Sequence, residues 1–165
     1  MNASQKGIDL IKSFEGFRAE TYKDSGGIPT IGYGHALKPN ESFTRISEQD
    51  AENLLKQDVY VAERYINNNF GRKIINQNEF DALVSFIFNI GQGAFNKSSV
   101  NTYIRLDEFK IAMTWWAKWV RDGRGEIMPG LVIRREKEIR LFNEKGQYIT
   151  EFQIDELFQH NRRAA

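Results

Sequence analysis

The chain has 165 residues, of which 41% are hydrophobic and 27% charged, with a formal net charge of +1 and no cysteine. A chain of this length builds a single domain whose core needs no disulfide or metal to hold it together. The absence of cysteine excludes a disulfide framework, a thiol nucleophile and a thiolate redox pair. Only two histidines are present, His35 and His160, so we expect no metal site and no cofactor.

The charge is spread unevenly along the chain. Residues 46–96 carry four Lys or Arg against seven Asp or Glu, whereas residues 97–142 carry ten against six. A basic stretch of this kind suits an anionic polymer, either a nucleic acid or a cell-wall polymer, and it is also typical of an ordinary solvated helical surface. No stretch approaches the roughly 18 consecutive apolar residues of a membrane span, and residues 1–12 lack the pattern of a signal peptide.

The first part of the chain predicts a helix followed by a β-hairpin. Ser4 is a favourable N-cap, and apolar residues recur after it at helical spacing until Gly16, which is a typical stop. From Thr21 to His35 the pattern changes to β-branched and aromatic residues interrupted by a glycine pair. That change is typical of a short hairpin.

A long helix follows, and it predicts a bridge between two lobes. Ser47 and Asp50 are spaced as in a capping box, and the apolar periodicity continues to about Asn69. Further periodic segments predict helices over 76–91, 98–106, 107–120 and 131–142. Three tryptophans fall in the helix over 107–120 and are expected in the core, two of them on one helix face: Trp115, Trp116 and Trp119.

These elements predict an α+β fold that is mostly helical. In one domain, a small lobe (1–46) is joined by a connecting helix (47–70) to a larger all-α lobe (71–142). A C-terminal extension (143–165) is expected to dock on the body as an extra amphipathic element, with weak membrane contact as the alternative. Its lack of net positive charge argues against the membrane. The apolar residues of the extension are Phe152, Ile154, Leu157 and Phe158.

Two carboxyl groups point to glycoside hydrolysis. Glu15 is expected at the C-terminal end of the first helix, where the negative end of the helix dipole and the flanking phenylalanines favour the protonated form that a general acid needs. Asp24 is expected in the polar turn of the hairpin, which favours the ionised form. Two carboxyl groups held in different charge states across a groove suit cleavage of a glycosidic bond.

The spacing of these residues resembles the phage-type lysozymes, which form family 24 of the glycoside hydrolases. Glu15, Asp24 and Thr30 match that family's Glu-x8-Asp-x5-Thr triad, and residues 32–35 match the Gly-x-Gly-His that follows it. Two later segments are also similar: Phe-Asn-Ile-Gly at 88–91, and Gly-Leu-Val-Ile-Arg-Arg-Glu-Lys-Glu at 130–138. The resemblance covers about residues 5–142.

The resemblance implies a lysozyme-like fold with an active-site cleft between the lobes. It implies hydrolysis of the β-1,4 bond between N-acetylmuramic acid and N-acetylglucosamine in bacterial peptidoglycan. Glu15 would be the general acid, while Asp24 and Thr30 would hold the attacking water in an inverting reaction. His35 would be structural, and an arginine at 134 or 135 would reach Glu15. The substrate contacts implied by motif position are Ala36, Phe88 and Asn89.

The resemblance also implies an endolysin that lyses the host cell for phage release. Such a protein would act as a monomer on peptidoglycan, with no nucleic acid partner. It would accumulate in the host cytoplasm and reach the wall through a separate membrane-hole protein, a holin. Two other functions remain open: a lytic transglycosylase, which needs the acid but no positioned water, and a non-catalytic wall-binding module that uses the basic region at 97–142.

Overall fold

A computed structural model describes residues 1–70 and 75–164; the predicted start of the helical lobe at 71–74 and the last residue lie outside this description. The fold is α+β and mostly helical, as predicted. The helices and strands, in chain order, are α1 (Gln5–Glu15), β1 (Arg18–Lys23), β2 (Pro29–Gly32), β3 (His35–Ala36), α2 (Glu48–Phe70), α3 (Gln77–Ile90), α4 (Gln92–Asn96), α5 (Ser99–Arg105), α6 (Phe109–Trp116), α7 (Pro129–Phe142), a 3-10 turn (Glu144–Gly146) and α8 (Glu151–Ala164).

The sheet is a three-stranded antiparallel meander in the order β1-β2-β3. It packs against α2 through Gly32, where an added Cβ would lie 2.9 Å from the Cβ of Ala51. Gly32 also has a positive φ of 67°, which a side chain would strain. Glycine at this position therefore sets both the turn and the close approach of the sheet to α2.

The first helix packs against the helical lobe as well as leading into the sheet. Ser4 caps α1 by accepting the amide N–H of Gly7, as its sequence predicts, and its hydroxyl also donates to Asp81 on α3. Gly7 itself lies so close to α3 that an added Cβ would be 2.7 Å from the side chain of Asp81. The N-terminal end of α1 is thus held by α3, whereas the strands that follow the helix are held by α2.

The core of the helical lobe surrounds α3. Asn76 caps α3 with a full capping box that includes Glu79, and the helix is buried from Glu79 to Ile87. Aromatic rings fill the space between α3 and its neighbours, with ring centroids 4.7 to 6.5 Å apart. The rings at the centre are Phe70, Phe86, Phe95, Trp116 and Phe142.

The prediction that three tryptophans share the core is wrong for Trp115. The helix predicted to reach residue 120 ends at Trp116, with Ala117 as its C-cap. Trp116 is fully buried, but Trp115 is 38% exposed and Trp119 is half-buried beyond the end of the helix. Because α6 ends between them, Trp115 and Trp119 do not lie on one helix face.

The C-terminal extension docks on the body as helix α8, packed against α7. Ile154 and Phe158 are fully buried, whereas Phe152 is 70% exposed. Arg140 of α7 also forms an ion pair with Asp155 at 2.8 Å. Within the described ranges, no helix combines the length and the apolar character needed to cross a membrane.

The docking of α8 predicts a contrast between two phenylalanines of that helix. Replacing Phe158→Ala should lower the free energy of unfolding by about 3–5 kcal/mol, because it leaves a cavity in the core. The matched substitution Phe152→Ala should change it by no more than about 0.5 kcal/mol. Urea unfolding followed by circular dichroism measures both, and equal effects of the two substitutions would contradict the docking.

Candidate active site

Glu15 is the last residue of α1, and its two carboxylate oxygens have different surroundings. Arg134 of α7 donates from Nη1 to Oε1 at 2.6 Å. The other oxygen, Oε2, faces Gly34 in the hairpin, where an added Cβ would lie 3.4 Å away. The side chain is 24% exposed. One oxygen is therefore held by an arginine, while the other faces a glycine that leaves space in front of it.

Arg134 is fixed on every side, which makes it a rigid partner for Glu15. Its Nε donates to Glu138 at 3.2 Å, and its Nη2 donates to the carbonyl oxygen of Ser85 at 3.2 Å. The guanidinium group also lies 4.8 Å from the ring centroid of Phe14, the residue before Glu15. Each side of the guanidinium has a different partner, so its direction is set by packing as well as by charge.

Glu138 is the buried carboxylate between two buried arginines. It is fully buried and accepts from the Ser85 hydroxyl at 2.7 Å and from the Trp116 indole N–H at 3.1 Å. It also forms an ion pair with Arg135, whose Nε lies 2.9 Å away. Burial lowers the pKa of Arg135 to about 10, opposed by the charge of Glu138, so the group remains a cation at neutral pH.

The two arginines of α7 point to different parts of the site. Arg134 contacts Glu15, and Arg135 donates from Nη2 to Oδ1 of Asn89 at 2.8 Å. Because an arginine only donates, the oxygen of the Asn89 amide faces Arg135 and its NH₂ group points away. The sequence left open which of the two arginines reaches the carboxyl group of Glu15, and the structure shows that it is Arg134.

Asp24 follows β1 and organises the turn of the hairpin. Its Oδ1 accepts the backbone N–H groups of Gly26 and Ile28, both at 2.8 Å. Its other oxygen has no hydrogen-bond partner in the described part of the chain. Asp24 is half-buried, so this second carboxylate oxygen is the one left to act on a ligand or a water.

Thr30 lies in β2, where it pairs with Tyr22 of β1 and Ala36 of β3. The residue is buried, and its hydroxyl donates to the carbonyl oxygen of Ile28 at 2.9 Å. The proton of the hydroxyl is therefore engaged, and the oxygen remains as an acceptor. Asp24 accepts the backbone N–H of Ile28, and Thr30 donates to the carbonyl oxygen of the same residue, so Ile28 holds both side chains.

His35 is held inside the small lobe between two carboxylates. Its Nδ1 lies 2.8 Å from Asp58 of α2, and its Nε2 lies 2.9 Å from Glu41. Burial by itself lowers the pKa of His35, but the hydrogen bonds to the two carboxylates outweigh it and the pKa is raised. The backbone N–H of Lys38 and then His35 hold the pKa of Glu41 below its usual value, whereas burial raises the pKa of Asp58. Because Asp58 belongs to α2, its hydrogen bond with His35 joins β3 to that helix.

Among the predicted substrate contacts, the structure places Ala36 next to Thr30 but gives Asn89 no direct contact with Glu15. Asn89 is exposed and reaches Glu15 only indirectly, through the arginine pair, while Ala36 is exposed in β3 opposite Thr30. Phe88 is half-buried and packs against the core. Glu138 belongs to the motif at 130–138, but its contacts with the two arginines were not predicted from the sequence. Its spacing of three and four residues from the two arginines was the available signal.

A mostly helical, two-part fold with a carboxyl group at the end of its first helix, facing a β-hairpin, defines the lysozyme class. The family model described as phage lysozyme matches residues 12–138, and this chain belongs to that family. The chain is 38% identical to the endolysin of Salmonella phage P22 over 146 residues, covering 86% of this chain and 98% of the relative.

Two further comparisons, one with an endolysin and one with a solved structure, show how much of each chain is covered by the similarity. The endolysin of Bacillus phage B103 is 41% identical over 149 residues, which cover 86% of this chain but 54% of that endolysin. The chain thus spans about half the length of that relative. Among solved structures, the muramidase domain of SpmX from Asticaccaulis excentricus has a TM-score of 0.78 and 35% identity, covering 86% of this chain and 97% of that one.

The environment of His35 predicts a pH-dependent stability. The pKa of His35 is raised on folding. Its contribution to the free energy of unfolding is therefore fully present below the unfolded pKa of about 6.5, and it is lost as the pH rises through the higher folded pKa. The substitution Glu41→Gln keeps an acceptor for the ring but removes a charge. The pKa of His35 in the folded chain should then fall, so the loss of stability should be smaller and should be complete at a lower pH.

Nuclear magnetic resonance titration of the His35 ring and urea unfolding across pH 6–9 measure these two effects. His160→Gln is the matched control, because His160 is exposed on α8. A His35 that titrates identically in the native chain and in Glu41→Gln would contradict this account.

Proposed function

We propose that this chain is a muramidase, which hydrolyses the β-1,4 bond between N-acetylmuramic acid and N-acetylglucosamine in bacterial peptidoglycan. The observation that carries the proposal is the geometry of Glu15: Arg134 holds Oε1, and Oε2 faces the space beside Gly34. The names of the relatives, which include endolysins and a muramidase domain, support the same substrate. The site of action is then the bacterial cell wall.

In this proposal Glu15 is the general acid. Its proton passes from Oε2 to the glycosidic oxygen while the bond from that oxygen to C1 of the muramic acid breaks. Arg134 holds the opposite oxygen, so the carboxyl cannot rotate away from the bond. Gly34 supports this role because any side chain at that position would contact Oε2.

Asp24 and Thr30 position the attacking water. A nucleophilic water must donate its protons as it attacks, so its neighbours should be acceptors. Thr30 is such an acceptor because its own proton is engaged by Ile28, and the second oxygen of Asp24 is the base that receives the proton. The attack comes from the ring face opposite Glu15 and inverts the configuration at C1.

Substrate contacts on the helical side centre on Asn89. Arg135 holds its amide oxygen, which leaves the NH₂ group to donate to a carbonyl, such as an acetamido group of the sugar. Ala36 would contact the sugar across the cleft, next to Thr30 in the sheet. Phe88 would support Asn89 mainly by packing.

The route to the wall follows from the same proposal. The chain would accumulate in the host cytoplasm as a monomer and pass the membrane through pores made by a separate holin. Any direct contact with lipid would be weak and would involve Phe152, because the other rings of the extension are partly or fully buried by docking.

Two isosteric substitutions test the roles of the carboxyl groups. Glu15→Gln and Asp24→Asn should each lower the rate of reducing-end release from peptidoglycan by about 10²–10⁴-fold, because each removes one proton transfer. Both new amides still offer an oxygen to the observed hydrogen-bond donors, so the fold should survive, as checked by circular dichroism.

Glu20→Gln is the matched control, since Glu20 is an exposed carboxyl group of β1 whose side chain is 72% accessible. It should retain full activity. Undiminished activity in Glu15→Gln would refute the assignment of the acid. Loss in Glu15→Gln with full activity in Asp24→Asn, together with 1,6-anhydro ends, would instead indicate a lytic transglycosylase.

A further inference from the structure

The buried cluster behind Glu15 contains a carboxylate and a cation whose charges the proposed reaction does not use. Glu138 and Arg135 are both fully buried on α7, three residues apart. Neither forms a hydrogen bond or an ion pair with Glu15 in the described chain, yet each carries a charge that burial makes unfavourable. Apolar side chains of the same size would serve packing equally well, so the two charges call for a role beyond packing.

The charges of this cluster balance while Glu15 is ionised. Arg134 and Arg135 are the two cations, and Glu138 and Glu15 are the carboxylates that pair with them among the described residues. When Glu15 takes up the proton that a general acid donates, the cluster is left with one uncompensated positive charge. The charge of Arg134 therefore works against the protonated acid, and the charge of Glu138 reduces that effect.

Glu138 acts on Glu15 through the guanidinium group of Arg134. Its Oε1 lies 3.2 Å from Nε of Arg134, and Nη1 of the same group lies 2.6 Å from Oε1 of Glu15. Both Arg134 and Glu138 are buried, so solvent screens their interaction only weakly. The two carboxylates bind two edges of one cation, and at such a separation a unit charge shifts a protonation equilibrium by about one pH unit.

Arg135 opposes the effect of Glu138. Its guanidinium group contacts Glu138 at 2.9 Å and lies 4.8 Å from the ring centroid of Phe86. Its Nη1 has no hydrogen-bond partner in the described part of the chain. Glu138 is therefore the main compensation for a cation held away from water, and part of its negative charge is offset by Arg135 rather than by Arg134.

The other charged groups on the elements around Glu15 are paired, distant or exposed. On α1, Lys12 forms an ion pair with Glu52 of α2 at 2.8 Å. The carboxylate of Asp81 on α3 binds the opposite end of α1. On α7, Lys137 is exposed, so solvent screens its charge. The buried cluster on α7 is thus the charged surrounding that acts most directly on the acid.

We propose that Glu138 is a positioning residue for the acid: it offsets the charge of Arg134, so that Glu15 keeps its proton at the pH of the reaction. Arg135 limits this effect by offsetting part of the charge of Glu138. The inference rests on the proposed function, because it takes Glu15 as the proton donor. It assigns to the buried pair the upper end of the pH range in which the enzyme is active.

The test is the pH dependence of kcat/KM, measured by reducing-end release from soluble glycan strands at constant ionic strength. The readout is the midpoint of the alkaline limb, where activity is lost as Glu15 releases its proton. Glu138→Gln removes a negative charge beside Arg134, so this midpoint should move to lower pH by about one unit. Arg135→Gln removes a positive charge farther away, so the midpoint should move to higher pH by about half a unit.

Opposite directions separate this role from a structural one. A variant that merely loosened the site would lower the rate at every pH and leave the midpoint in place, and loss of the contact between Arg135 and Asn89 would do the same. The double variant, Arg135→Gln with Glu138→Gln, should have a midpoint below that of Arg135→Gln alone. It keeps the proposal testable if Glu138→Gln does not fold, because it removes one buried charge of each sign.

Two other residues of α7 provide matched controls. Glu136→Gln and Arg140→Gln remove the same charges from side chains that pair with each other at 3.1 Å and with α8. Neither should move the midpoint. Midpoints of Glu138→Gln and Arg135→Gln that equal those of the controls, or that move in the same direction, would overturn the proposal. Equal midpoints in Arg135→Gln and in the double variant would overturn it as well.

The failure of this inference is distinguishable from the failure of the proposed function. The carbon-13 chemical shift of the Glu15 carboxyl group, followed against pH by nuclear magnetic resonance, reports its proton without any turnover. If the native chain releases no reducing ends but this titration moves in opposite directions in the two single variants, the muramidase proposal fails and the role of Glu138 is retained. If the native chain cleaves peptidoglycan while neither the titration nor the alkaline limb moves, this inference alone fails.

Discussion

The charge balance of the two buried arginines on α7 constrains both the fold and the site. A buried cation is tolerated only when carboxylates and hydrogen bonds compensate for its lost hydration. Glu138 lies between Arg134 and Arg135 and is the single fully buried carboxylate that contacts them in the described residues. The second negative charge at this cluster is Glu15, at 2.6 Å from Arg134. The residue proposed as the acid is thus also a counterion of the core.

This arrangement explains why the site lies where two parts of the molecule meet. Glu15 belongs to α1, which Asp81 fastens to α3, and Arg134 belongs to the helical lobe. Asp24 and Thr30 belong to the sheet, which Gly32 and His35 fasten to α2. In the proposed reaction, the residue that donates the proton is therefore held by α3 and α7, whereas the residues that activate the water are held by α2.

Local signals in the sequence predict much of this fold. Ser4, Asn76 and the pair Ser47 and Asp50 mark helix starts by hydrogen bonds within a few residues of the chain, and the structure confirms all three. The alternation before His35 predicts the hairpin for the same reason. These features depend on neighbours along the chain, so the chain alone contains the information.

Contacts between distant residues were not predictable in this way. Helix α6 ends at Trp116, and Trp115 lies exposed within it; which face of the helix is buried depends on how α6 packs on the body. Likewise, the spacing of the Arg-Arg pair does not say which arginine turns toward Glu15 and which toward Asn89. The acceptor role of Thr30 depends on a hydrogen bond to Ile28, which requires the folded turn.

In the proposed reaction, a water held by Asp24 and Thr30 attacks the sugar from the face opposite Glu15. Proton nuclear magnetic resonance of freshly digested peptidoglycan tests it most directly, recorded before the new reducing ends mutarotate. Inversion of a β-1,4 bond predicts that the N-acetylmuramic acid ends first appear as the α-anomer. First appearance of the β-anomer, or of 1,6-anhydro ends, would contradict the account.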